Sequence, residues 1–209
     1  MTQDFLGRPL AWAERVAGMA IRAGGVVMLC AALLVALDVT LRKLFNTTLG
    51  GADELAGYAF AIATSWSFAF VLLKRANVRI DALYMHLPRR VCAVLDFVAV
   101  LALGTFAVVL ARHGYEVMAY SWSLGARSNS SLQVPLWLPQ LAWWAGLVLY
   151  VVTLFLLLLR SAALLAAGRH EQVHELLGAM SVEEEAAGEA TQARERETQQ
   201  AARLAGVQS

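Results

Sequence analysis

The chain has 209 residues, 59% of them hydrophobic and only 16% charged, with a formal net charge of +1. Soluble domains are nearer half apolar and a quarter charged. A mean hydropathy of +0.57 therefore excludes an ordinary water-solvated globule and calls for lipid as solvent.

Residues 1–22 read as a cytoplasmic amphipathic segment. Arg8, Arg15 and Arg22 recur every seven residues, which puts them on one face of a helix, while Leu10, Trp12, Val16 and Met19 supply apolar surface. Two arrangements fit: a helix lying in the membrane interface with its arginines against anionic headgroups, or a cytoplasmic extension of the first span. Four runs then reach the roughly 20 mostly apolar residues that a helix needs to cross a bilayer. They cover about 23–44, 53–73, 91–111 and 136–159. The second is the most dilute, because Thr64, Ser65, Ser67 and many alanines interrupt it; small residues of this kind suit close helix–helix approach in lipid.

Between the second and third spans lies a basic cluster, Lys74, Arg75, Arg79, Arg89 and Arg90. Asp81 is placed to cap a short helix through His86, which ends before Pro88. The stretch from Tyr120 to Pro135 is the only sizeable loop on the other side, and Trp122, Trp137, Trp143 and Trp144 in or near it suit interfacial anchoring. From 169 to 209 the composition turns to Glu, Gln, Ala and Arg, a polar, acidic tail that is either helical or disordered. These elements predict an all-α integral membrane protein whose membrane domain covers 23–168.

Orientation follows from the Lys and Arg in the flanks. Arg8, Arg15, Arg22, the central cluster, Arg160 and Arg169 fall on one side; Arg42, Lys43, Arg112 and Arg127 fall on the other. The excess predicts both termini in the cytoplasm. The first span starts too late and runs too long for a cleavable signal peptide.

The chemistry-bearing residues do not converge. Asp38 and Arg42, like Arg112 and Glu116, are spaced for helical ion pairs, and Asp53 and Glu54 open the second span where a helix dipole favours carboxylates. His86 and His113 belong on opposite membrane faces and His170 and His174 in the tail, so no haem or metal set is expected. Cys30 and Cys92 read as small packing residues. The four prolines sit at segment edges, away from the broken-helix positions of transport sites. Neither an enzyme, a cofactor nor a nucleic-acid partner is expected. A four-span multidrug exporter would want a carboxylate within 26–37, where there is none. A membrane anchor or electron-transfer subunit of another complex is the other alternative, and the scattered histidines count against it.

An ordered set of landmarks resembles the DctQ-like small membrane subunit of tripartite ATP-independent periplasmic (TRAP) transporters. The set begins with Asp38-Val39-Thr40-Leu41-Arg42, Phe45-Asn46, then Gly51 with Glu54-Leu55 and Tyr58. It continues with Asn77-Val78-Arg79-Ile80-Asp81 and Leu87-Pro88, then Ser128 to Ser131 leading into Pro135-Leu136-Trp137-Leu138-Pro139-Gln140. The departure is Asn77, where many members carry histidine. The resemblance implies an inner-membrane scaffold subunit of a secondary active transporter that imports an organic acid-type solute. It implies partnership with a large multi-span permease subunit, transient contact with a periplasmic substrate-binding protein, and contact with membrane lipids. It also implies structural or interface roles for Asp38, Arg42 and Glu54 on the outer side, with Ser130, Pro135 and Trp137 shaping the outer loop. Arg79, Asp81 and Pro88 would be their cytoplasmic counterpart. No substrate-binding residue is implied.

Overall fold

The computed structural model describes residues 2–75 and 88–177, together with 190, 191, 193, 194 and 198. Five helices follow in order among the described residues: α1 (Thr2–Phe45), α2 (Ala52–Leu73), α3 (Arg89–Ser123), α4 (Trp137–Ala166) and the short α5 (His170–Leu177). No strand forms among the described residues, and α1 to α4 are each long and apolar enough to cross a membrane. The predicted short helix from Asp81 to His86 lies outside the described residues, as do Arg79 and Asp81 themselves.

Three boundaries differ from the sequence reading. First, α1 is one continuous helix of 44 residues, about 66 Å at 1.5 Å per residue. Residues 2–22 are therefore an extension of the first span, and no separate interfacial helix turns off from it. Pro9 lies inside the helix, in its third turn, where it has no N–H to give the Phe5 carbonyl. Second, α3 passes through Arg112, Glu116 and Tyr120 and ends at Ser123, so the loop begins at Leu124. The polar residues ended the apolar run but not the helix, since Glu116, Met118 and Ala119 are good helix formers. Third, the tail begins with a helix whose Val173 and Leu177, one turn apart, are buried against the membrane domain.

The helix ends have local causes. Asn46 takes a left-handed φ of 51° just after α1, a conformation Asn tolerates. Beyond α3, Gly125 (φ 59°) donates to Trp122 O at 3.1 Å and Ala126 donates to Ser121 O at 3.0 Å, a Schellman closure. Gly168 (φ 71°) ends α4 in the same way, with Arg169 donating to Leu164 O.

The spatial order is α1, α2, α4, α3, an open row rather than a closed four-helix bundle: α1 packs on α2, α2 on α4, and α4 on α3, with α4 also touching α1. The seams have a period of seven residues, two helical turns. On α1 the stripe is Ala17, Gly24, Ala31 and Asp38; on α3 it is Ala93, Val100 and Ala107; on α4 it is Leu147, Leu154 and Ser161. Small residues dominate where backbones approach. A Cβ on Gly24 would lie 3.3 Å from Ala63 Cβ, and one on Gly146 would meet Ser65 Oγ at 2.5 Å. The exposed Arg15 and Arg22 stand two residues before Ala17 and Gly24, about 200° round the helix, and so face away from the α1–α2 seam. Of the two cysteines, Cys92 is buried as expected, whereas Cys30 lies on the outer surface of α1.

Two indoles tie the row together. Trp66 Nε1 on α2 donates to Ala142 O on α4, and Trp144 Nε1 on α4 donates to Ala111 O on α3, each at 2.8 Å. Both carbonyls already serve their own helices, so these are additional bonds across the seams, each worth on the order of 1 kcal/mol.

Candidate functional site

Six of the residues singled out from sequence, Asp38, Arg42, Glu54, Ser130, Pro135 and Trp137, come together at one end of the row. The turn 46–51 between α1 and α2 and the loop 124–136 between α3 and α4 meet there.

Asp38 organises the first turn. Its side chain is 97% shielded from solvent, with a relative side-chain exposure of 3% against 58% for its partner Arg42. Arg42 Nη2 pairs with Asp38 Oδ2, while Oδ1 accepts from Thr48 Oγ1 at 2.8 Å and from the Leu49 backbone N–H at 2.7 Å. Thr48 Oγ1 in turn accepts from the Gly50 N–H at 3.2 Å. One carboxylate thus satisfies a cation, a hydroxyl and a backbone amide, and it fixes the path from α1 into α2.

The second loop seats on that turn. Gly50 (φ 64°) and Gly51 (φ 101°) are both left-handed. A Cβ on either would collide with the facing loop, at 2.5 Å from Ser131 Oγ or 2.5 Å from Leu132 Cδ1. Glycine is required on both counts, conformation and space. Ser131 Oγ closes the junction by donating to Gly50 O at 3.2 Å.

Glu54, in the first turn of α2, accepts from Tyr58 Oη at 2.6 Å and lies beside the hydroxyls of Ser130 and Ser128. Those hydroxyl oxygens already accept backbone N–H groups: Ser128 Oγ from Val134 N and Ser130 Oγ from Leu132 N, both at 3.1 Å. Their protons are therefore the groups available to a carboxylate or to each other across 3.3 Å. The loop is braced internally by Ser128 N donating to Val134 O, Leu136 N donating to Ala126 O, and an antiparallel bridge between Arg127 and Pro135. Trp137, the first residue of α4, meets Trp122 edge-on with ring centroids 4.5 Å apart.

Pro88 stands at the other end, extended (φ −65°, ψ 143°) as the residue before α3. Near it Lys74 Nζ pairs with Glu14 at 3.3 Å, joining α2 to the α1 extension; both partners are about half exposed, so the pair adds little stability. Asp96 is fully buried in α3 and has a partner. Arg112 and His113 both pair with Glu116 on the exposed side of α3, at 3.2 and 2.9 Å. Among the described residues, no group of three or more His, Cys, Asp or Glu is placed to hold a metal ion.

Sequence reasoning did not single out Thr48, Gly50, Ser128 or Ser131 as contacts, nor the Ser65–Gly146 approach. The Gly50-Gly51 pair and the small residues at every seventh position of α1 were the available signals.

The family model for tripartite ATP-independent periplasmic transporters, DctQ component, matches residues 31–164. The chain belongs to this family. The match runs from the middle of α1 to the last turn of α4 and takes in every residue of the loop junction. This DctQ chain is thus the small permease subunit of a TRAP transporter, a multi-pass inner-membrane transport component rather than an enzyme. No curated protein matches the chain, and no solved structure does.

Proposed function

We propose that this DctQ subunit braces the large permease subunit of a TRAP transporter in the membrane and takes no part in binding the solute. The large subunit carries the solute and coupling-ion sites, and a periplasmic binding protein delivers an organic acid-type solute to it. The carrying observation is how the membrane interior of this chain is filled. Its seams are mainly small or apolar residues, the buried hydroxyls of Ser65, Thr153 and Ser161 are spent on carbonyls of their own helices, Ile62, Leu149 and Leu158, and the buried carboxyls of Asp38 and Asp96 both have partners. Polar groups at membrane depth are expensive and mark a solute path when they converge; here they are dispersed.

In this reading the basic end, with Arg79, Asp81 and Pro88, faces the cytoplasm and both termini with it. The junction of Asp38, Arg42, Glu54, Ser130, Pro135 and Trp137 faces the periplasm, where it sets the surface offered to the binding protein. The positive-inside rule supports this orientation.

Co-purification in mild detergent is the test. The large subunit should accompany this chain, and transport should be lost without it, while the binding protein's affinity for its solute stays unchanged. A chain that purifies alone, or a changed solute affinity when it is deleted, would refute the bracing role.

A further inference from the structure

One level line crosses the whole row. Gly24 on α1 meets Ala63 on α2, and two residues further along α2, Ser65 meets Gly146 on α4. Trp144, two residues before Gly146, donates through Nε1 to Ala111 O on α3. Because α2 and α4 run in the same direction, Gly24, Ala63, Trp144 and Ala111 stand at one height. Ala63 is in the middle of α2 (Ala52–Leu73).

Charged side chains lie on that line at both edges of the row. Arg22 precedes Gly24 by two residues, and Arg112 follows Ala111 directly, with its partner Glu116 one turn on. Both arginines face outward; 77% of the Arg112 side chain is exposed. In helices standing along the membrane normal, both would meet hydrocarbon at the bilayer midplane, where ions are rare and costly.

The exposed apolar residues point to a different stance. The edge helices α1 and α3 run in the same direction. On α1 the exposed apolar band follows Arg22, through Val26, Leu33 and Leu37; on α3 it precedes Arg112, through Val91, Val98 and Phe106. Beyond the arginines the exposed groups turn largely aromatic, with Trp12 on one helix and Tyr115, Tyr120 and Trp122 on the other, as at an interface. The two bands are thus displaced in opposite senses from a shared level. A row with that stagger fits a flat hydrocarbon slab only when it leans within its own plane.

The size of the lean follows from spacing. Three steps of about 9 Å separate α1 from α3. A lean of about 35° then lowers one edge and raises the other by about 8 Å, at the steep end of the usual range. Snorkelling covers the remaining distance to headgroups about 15 Å from the midplane. Arg22 already reaches that way, with Nε donating to Gly18 O at 2.9 Å. Arg112 reaches the opposite way, with Nε donating to Glu116 at 3.2 Å. Each guanidinium thereby keeps its Nη groups for an outside acceptor, and a phosphate suits that fork.

We propose that the row leans at about 35° to the membrane normal, held at two diagonal corners by phospholipid phosphates. Arg22 takes a phosphate in the leaflet of the basic end, and Arg112 takes one in the opposite leaflet. The lean does not depend on the bracing role.

Spin labels in phospholipid nanodiscs test it. The full-length chain, with Cys30→Ala and Cys92→Ala, receives Met19→Cys, Leu33→Cys, Val98→Cys or Val117→Cys, all at exposed positions. Depth is read from nitroxide accessibility to oxygen against a water-soluble nickel chelate. In the leaning row Leu33 lies about 10 Å nearer the midplane than Met19, and Val98 about 7 Å nearer than Val117. Upright helices reverse both orders, and that result overturns the proposal. Two changes then remove the anchor by separate routes: Arg22→Leu combined with Arg112→Leu, and nanodiscs of a galactolipid, which has no phosphate. Each should move the Met19 and Val117 labels inward by about 6 Å. If the double variant fails to fold, the galactolipid decides; labels that stay in place overturn the anchoring by phosphate.

Discussion

Gly146 on α4 and Ser65 on α2 meet so closely that a single methyl group on Gly146 would sit 2.5 Å from Ser65 Oγ and 2.9 Å from the Ser65 carbonyl carbon. The backbone contact is what seats α4 against the α1–α2 hairpin. Gly146→Ala should therefore destabilise the subunit by about 1–3 kcal/mol, the usual cost of overpacking. Gly57→Ala is the control, because nothing lies within 4 Å of a Cβ there; it should be neutral or stabilising by up to about 1 kcal/mol, as alanine is the better helix former. Thermal unfolding in detergent, read by tryptophan fluorescence, separates the two.

Trp144→Phe keeps a ring in the α3–α4 seam and deletes the indole N–H that serves Ala111 O. The expected loss is about 0.6–1 kcal/mol. Trp66→Phe should lose a similar amount at the α2–α4 seam, and the double variant should lose the sum, since the two bonds share no partner.

Removing the Asp38 carboxylate should loosen the turn into α2. In Asp38→Ala the Leu49 amide loses its acceptor, and its hydrogen exchange should accelerate roughly tenfold or more. Asp38→Asn retains one oxygen for that amide and should show a smaller rise. Exchange at the wild-type rate in both variants would mean that the turn does not depend on this side chain.

The short α5 is held by Val173 and Leu177. Val173→Asp would place a carboxylate where the native side chain is fully buried, at several kcal/mol, more than an eight-residue helix gains by docking. Limited proteolysis near Gly168 should then become fast, while Gln172→Asp, on the exposed side, should leave the cleavage rate unchanged.

What could be read from sequence divides along physical lines. The four spans were legible because about 20 apolar residues in a row have few other uses. The pairings of Asp38 with Arg42 and Arg112 with Glu116 were legible because helical spacing alone dictates them. The ends of α1 and α3 were not, since hydropathy reports where lipid stops and a helix can continue through Arg15 or Glu116 on propensity alone. The docking of α5 rests on Val173 and Leu177, two residues in a polar stretch, too little apolar signal to distinguish from a solvated helix. The order of the row was hidden for another reason: it depends on shape, such as the notch at Gly146 that admits Ser65, and no local pattern states which helix fills a notch. The loop junction was half visible, as a set of separate residues whose meeting across Gly50 and Ser131 required the fold.

The placement of α4 also sets a timetable for biogenesis. Of the four spans described it leaves the ribosome after the other three, yet it touches all of them. Until residues 137–166 have been released into the bilayer, α3 has no seam to pack in, and Leu72, Ala93 and Val100 must wait among lipid tails or insertion machinery. The α1–α2 hairpin can mature early, stapled by Asp38. The row of four closes only when α4 inserts between α2 and α3, two neighbours already in the membrane.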